Sequence, residues 1–174
     1  MSKRDEPRTF QKRTFQKRPI QKVLQDEAAT LAFGAELLAK LKAHYADGVV
    51  VFLEGNLGAG KTTLARGILR ALGYLDAVKS PTYTLLEPYD MLDWEVFHFD
   101  LYRLGSPGEL EFTGFDEIMT GPGLKLIEWP EKGQGWLPSA HVKVRLATYD
   151  AGSGAPLQRQ VSVDARHAVD ARDH

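Results

Sequence analysis

Leu31, Gly34, Leu37, Leu38 and Leu41 recur at three- and four-residue spacing behind Asp26-Glu27-Ala28-Ala29-Thr30. This spacing predicts an amphipathic helix capped by Asp26 and closed by a turn at Asp47-Gly48. Val49-Val50-Val51-Phe52-Leu53 is then apolar without alternation, as a strand buried on both faces would be. Thr63 to Leu72 returns to helical spacing and stops at Leu72-Gly73-Tyr74. Two strands are predicted at Leu85–Tyr89 and Glu95–Tyr102, and Leu124–Trp129 reads as another. Between them, Gly105 to Ile118 reads as an acidic helical segment. Val142–Tyr149 and Gln158–Val163 flank a turn rich in Gly, Ser and Pro, as in a hairpin. The pattern predicts a single α/β domain with a mixed, mainly parallel sheet flanked by helices and antiparallel hairpins.

Between the buried strand and the second helix lies Gly55-Asn56-Leu57-Gly58-Ala59-Gly60-Lys61-Thr62, which fits the phosphate-loop pattern G-x-x-x-x-G-K-[ST] in full. Strand, glycine-rich turn and helix start aim several backbone N–H groups and the positive end of the helix at one point, where a phosphate can sit. Gly55, Gly58 and Gly60 allow backbone conformations and close approaches that a side chain would block. Lys61 supplies an ammonium for β- and γ-phosphate oxygens, and Thr62 a hydroxyl for Mg²⁺. A carboxylate from a neighbouring strand completes such a site, and Asp100 and Glu128 each end an apolar run. Ser80, Thr82 and Thr84 lie in a polar loop able to fold over a γ-phosphate. His98, inside an apolar strand, reads as a core histidine, and Trp129 as a packing residue.

The 174 residues, 43% of them hydrophobic, suit one domain. No apolar run approaches the ~20 residues of a membrane span, and no secretory leader is evident, so a cytoplasmic protein without membrane attachment is expected. The chain has no cysteine, which removes disulfides, thiolate zinc sites and a thiol nucleophile. Net charge is −1, yet residues 1–22 hold eight Lys/Arg against Asp5 and Glu6, a balance of +6 that leaves −7 for the rest. Thr9-Phe10-Gln11-Lys12-Arg13 repeats as Thr14-Phe15-Gln16-Lys17-Arg18, a period that fits neither helix nor strand. Residues 1–22 are therefore expected as a disordered basic tail, 23–166 as the folded domain and 167–174 as a frayed end. The acidic body does not look like a self-sufficient nucleic-acid binder.

Several blocks resemble the TsaE (YjeE) family. They are the loop with its helix start through Gly67, Val78 to Tyr89 with Ser80-Pro81-Thr82-Tyr83-Thr84, and His98-Phe99-Asp100-Leu101-Tyr102-Arg103-Leu104. Glu109 to Gly114 and Leu126-Ile127-Glu128-Trp129-Pro130-Glu131 continue the match, which spans roughly Asp26 to Val163. The resemblance implies a bacterial ATPase, slow in isolation, acting with the TsaD and TsaB proteins. It would serve threonylcarbamoyl transfer to N6 of the adenosine beside the anticodon, in tRNAs reading codons that begin with A. Contact with tRNA would be indirect, through that complex. ATP and Mg²⁺ are the implied cofactors. Lys61, Asp100 and Glu128 take the catalytic places, and Thr62 and Glu128 the metal places. The nucleotide would contact the loop from Gly55 through Asn56, Leu57, Gly58, Ala59, Gly60, Lys61 and Thr62 to Thr63. The resemblance adds Glu27 or Thr30 from the first helix and Arg159 near the last strand. Asn56 stands where the family usually has Asp. Taken without the resemblance, the residues also allow a small-molecule or nucleoside kinase, with Asp100 as acceptor base and Arg103 as clamp, or a binding module that never cleaves its nucleotide.

Overall fold

The computed structural model describes residues 19–149, 152 and 157–165. A seven-stranded sheet organises them: β1 (Ile20–Leu24), β2 (Gly48–Glu54), β3 (Leu86–Tyr89), β4 (Val96–Asp100), β5 (Gly123–Glu128), β6 (Val142–Tyr149) and β7 (Gln158–Ala165). The strand order is β1-β7-β6-β2-β5-β4-β3. The central strands β6, β2, β5 and β4 run parallel, and β1, β7 and β3 pair antiparallel at the flanks. The helices are α1 (Glu27–His44), α2 (Lys61–Ala71) and α3 (Phe115–Thr120).

Alternation along the strands decides what each face carries. Val49, Val51 and Leu53 of β2, with Leu124 and Leu126 of β5, point to the layer formed by α1 and α2, where Leu37, Leu64 and Ile68 meet them. Val50, Phe52, Phe99 and Ile127 point the other way, onto Leu110 and Phe115. The two helices of the first layer cross at very short range. A Cβ added to Gly67 would lie 2.4 Å from the backbone oxygen of Leu31, so glycine is what lets α2 seat directly on α1. Asp26 caps α1 as expected, its carboxylate accepting from Ala29 N at 2.7 Å.

Three expectations change. Residues 20–22, assigned to the tail, belong to β1, which pairs with β7 from Ile20↔Val163 to Leu24↔Arg159. Pairing to a strand more than a hundred residues away supplies the order that this short, partly charged run lacks on its own. Residues 1–18 of the expected tail and the expected frayed end, 167–174, lie outside the described residues. The acidic segment is not one helix but a 3₁₀ turn, Pro107–Thr113, and the short α3, separated by Gly114 at φ 70°. The strand expected at Glu95–Tyr102 ends at Asp100, whose carboxylate accepts the backbone N–H of Tyr102 and turns the chain out of the sheet.

β3 carries Pro88 opposite Phe97 of β4, and Tyr89 closes the strand against Tyr74, ring centroids 4.9 Å apart. Burial, helped by the nearby Glu87 carboxylate and Tyr74, pushes the Tyr89 phenol up to about 12. The unfolded chain would ionise this phenol near pH 10. The stability it contributes is therefore whole below about pH 10 and lost as pH rises to about 12, a fall of roughly 2–3 kcal/mol. Denaturant melts at pH 9, 10, 11 and 12 should show this fall as the difference between wild type and Tyr89→Phe. An equal alkaline loss in both proteins would exclude Tyr89 as its source.

Candidate active site at the phosphate loop

The loop leaves the carboxyl end of β2 and returns as α2. Gly55, Gly58 and Gly60 all have positive φ, at 147°, 78° and 103°. Gly55 is the most constrained: an added Cβ would stand 2.3 Å from Leu146 O of β6, so the chain passes flat against the neighbouring strand. Ala59 N bonds to Asn56 O at 3.1 Å and closes the turn, while Leu57 projects 74% exposed at its tip. The N-terminus of α2 has no side-chain cap, which leaves its first amides to whatever binds there.

Lys61 is almost wholly enclosed, 4% exposed. Its ammonium donates to Gly55 O at 2.5 Å and Asn56 O at 3.0 Å and lies 3.8 Å from the centroid of the Trp129 ring. Burial lowers its pKa, against the opposing pull of Glu128, Asp100 and Glu131. The adjacent Thr62 hydroxyl lies 2.9 and 3.1 Å from the two oxygens of Glu128, to which it donates. Glu128 and Asp100 are register partners at the ends of β5 and β4, so both carboxylates reach the face that carries α2. They are 2% and 3% exposed.

The two acids have different surroundings. Asp100 is tied down: Ser80 and Thr82 donate to its Oδ2, Thr82 at 3.0 Å, and Tyr102 N donates to Oδ1 at 2.9 Å. The polar 80–84 loop is thus anchored on this carboxylate through two hydroxyls. Glu128 instead faces Thr62, and His98 Nε2 lies 2.8 Å from its Oε1.

A cavity of about 540 Å³ joins these groups, lined by Lys61, Thr62, Thr63, Ser80, Thr82, Asp100, Glu128 and Arg159 among others. A slightly larger one, about 600 Å³, lies beyond Trp129 and is walled by Phe52, Leu137 and Pro138. The first holds the lysine, the hydroxyl and both acids, and we assign the site to it on that chemistry. Trp129 borders both cavities, with φ at 57°, and packs against Tyr102 at 4.9 Å.

Arg159 reaches the loop from β7. Its Nε would lie 2.8 Å from a Cβ on Gly60; that atom is buried without a hydrogen-bond partner among the described residues, while Nη1 donates to Leu157 O at 3.4 Å. Thr30 approaches the same point, its methyl 3.8 Å from that Cβ position, while its hydroxyl donates to Asp26 O within α1. Glu27 is exposed and accepts from Arg66 at 2.7 Å, which itself reaches Thr63 at 3.3 Å. Of the two α1 candidates, Thr30 sits against the loop and Glu27 is held beside it by α2.

The donor set fits Mg²⁺. Thr62 and Glu128 offer hard oxygens at one point, and among the described residues no group of three or more His, Cys, Asp or Glu side chains forms a cage of its own. Mg²⁺ is characteristically held by one or two protein oxygens, with water and phosphate completing the shell.

Two participants escaped sequence reasoning. His98 reads as a core residue, yet it touches Glu128. The available signal was its place two positions before Asp100, on the same face of the same strand. Trp129 does pack, but one of its neighbours is the Lys61 ammonium.

A glycine-rich loop of the pattern G-x-x-x-x-G-K-[ST] at the carboxyl end of a central parallel strand, with acids from the next two strands beside it, marks a single α/β domain with a mixed, centrally parallel sheet. The family described as "Threonylcarbamoyl adenosine biosynthesis protein TsaE" matches residues 24–160. Its relatives include the tRNA threonylcarbamoyladenosine biosynthesis protein TsaE of Haemophilus influenzae, 46% identical over 80% of this chain and 89% of that protein. The protein of the same name from Nostoc is 38% identical, covering 75% of this chain and 79% of its own. A crystal structure of Bacillus subtilis YdiB superposes with a TM-score of 0.63 at 27% identity, over 87% of this chain and 88% of that one. The chain belongs to the TsaE family, which is named for tRNA threonylcarbamoyladenosine biosynthesis. Among the described residues, no helix is long and apolar enough to cross a membrane.

Proposed function

We propose that this protein binds ATP with Mg²⁺ and hydrolyses it slowly to ADP and phosphate. Its role would be the ATPase component of N6-threonylcarbamoyl modification of the adenosine next to the anticodon in tRNAs reading codons that begin with A. It would work in the cytoplasm with TsaD and TsaB and meet tRNA through their complex. The observation that carries this reading is the convergence of Lys61, Thr62 and Glu128 in one cavity, with the Thr62 hydroxyl 2.9 Å from the carboxylate. When bound, Mg²⁺ supplies charge neutralisation on the phosphate oxygens. Lys61 would bind β- and γ-oxygens, the bare amides of the loop would hold the phosphate chain, and Thr62 and Glu128 would hold the cation. Asp100, with its hydroxyl partners, holds Ser80 and Thr82 against the cavity that contains Lys61 and Thr62.

Asp100 weighs against the kinase alternative. Three protein donors already take most of its roughly four acceptor sites, which favours anchoring of the 80–84 loop over the part of an acceptor base. Incubation with labelled ATP and a nucleoside panel separates the two: inorganic phosphate alone supports the ATPase, and a phosphorylated nucleoside supports the kinase.

Glu128→Gln tests the metal role, since it keeps the shape and removes the charge. Calorimetry with ATP should show the Mg²⁺-dependent gain in affinity cut by tenfold or more, at the scale of lost metal-site groups, with metal-free binding unchanged. Wild-type Mg²⁺ dependence and turnover in this variant would remove Glu128 from the metal site. Co-purification with TsaB and TsaD, with and without ATP, tests the assembly.

A further inference from the structure

Pairing of a buried histidine with the site carboxylate has a role beyond packing. We propose that His98 is a positioning residue, one that locks the Glu128 carboxylate in the orientation that meets Thr62. This rests on the Mg²⁺-nucleotide reading of the site.

His98 is fully enclosed, and strand alternation puts it on the same face of β4 as Asp100. Its Nε2 lies 2.8 Å from Glu128 Oε1, the same oxygen that accepts from Thr62 at 2.9 Å. Its Nδ1 is buried with no partner among the described residues. That pattern selects one tautomer. With the proton on Nε2 the ring's only donor is used on the carboxylate, and the bare atom is an acceptor. With the proton on Nδ1, a buried donor would be orphaned and two acceptors would face each other.

A glutamate at a strand end has three torsions to fix, and Thr62 alone anchors it at one point. The ring, itself held by enclosure in the sheet's face, supplies the second point. Mg²⁺ demands near-octahedral placement of its oxygens, so a carboxylate free to rotate would bind it less well. Groups that orient metal ligands in this way typically change metal affinity 10–100-fold when removed.

The test uses the full chain with His98→Gln, His98→Asn and His98→Leu, titrated with ADP in the presence and absence of Mg²⁺. Gln carries an N–H at about the reach of Nε2, whereas Asn is too short and Leu has no donor. His98→Gln should keep the Mg²⁺-dependent gain in affinity within about threefold of wild type. His98→Asn and His98→Leu should lose roughly tenfold of it, with metal-free ADP affinity unchanged. Equal Mg²⁺ gains in all variants, or a parallel fall in metal-free affinity, would overturn the proposal in favour of a purely structural histidine. If His98→Leu does not fold, the Gln–Asn pair decides. Nitrogen NMR of the histidine-labelled protein, without nucleotide or metal, gives an independent reading. A protonated Nε2 is expected, and a protonated Nδ1 with bare Nε2 would overturn the proposal. If wild type shows no Mg²⁺ dependence, the metal reading itself fails, and the NMR result still decides the histidine contact.

Discussion

Lys61→Met should weaken ATP binding by at least about 100-fold while leaving the fold intact. Charge-assisted hydrogen bonds contribute roughly 1.5–3 kcal/mol each, and an ammonium bridging two phosphate groups makes at least two of them. Losing both corresponds to a factor of about 100 or more. The fold should not suffer, because the ammonium is an unfavourable group to enclose: burial already lowers its pKa. Met keeps the apolar stem beside Trp129 and removes the charge. Calorimetry with ATP and thermal melts of the nucleotide-free protein check both halves. Wild-type affinity would remove Lys61 from the phosphate site, and a collapsed melt would make its contacts to Gly55 O and Asn56 O structural.

Gly55→Ala should have the largest effect on stability, about 3–5 kcal/mol, combining strained φ with overlap against an immovable neighbour. The neighbour is the backbone oxygen of Leu146, 2.3 Å from the new methyl, and β6 is pinned on its other side by β7. A side chain could turn away; a carbonyl inside a sheet cannot. Gly58→Ala is the control, since its φ is also positive at 78° but nothing lies within 4 Å of its Cβ position. That change should cost only about 1–2 kcal/mol. Urea melts of the two variants give the difference directly, and equal losses would mean that β6 yields to the methyl.

The contrast between these glycines also shows what could be read in advance. The loop was legible because each of its residues acts locally: a turn, an amide, an ammonium and a hydroxyl follow from their own types and order. The buried β2 and the periodic α1 were legible for the same reason. What escaped depends on partners remote in sequence. β1 takes its order from β7, and neither strand alone marks the other. That Asp100 and Glu128 are register partners is a property of the β4–β5 ladder, invisible in two apolar runs that each end on an acid. His98 looks the same in sequence whether it fills a core or holds a carboxylate. Gly114, at positive φ, divides an acidic segment that reads in sequence as helical throughout.

The outermost strand β3 carries its proline at a position where any incoming strand would look for a regular row of donors. Sheet extension across that border is therefore blocked by covalent structure rather than by charge. Whatever companions the protein takes on that flank have to grip it through side chains and loops, and crowding it at high concentration should not zip copies together there.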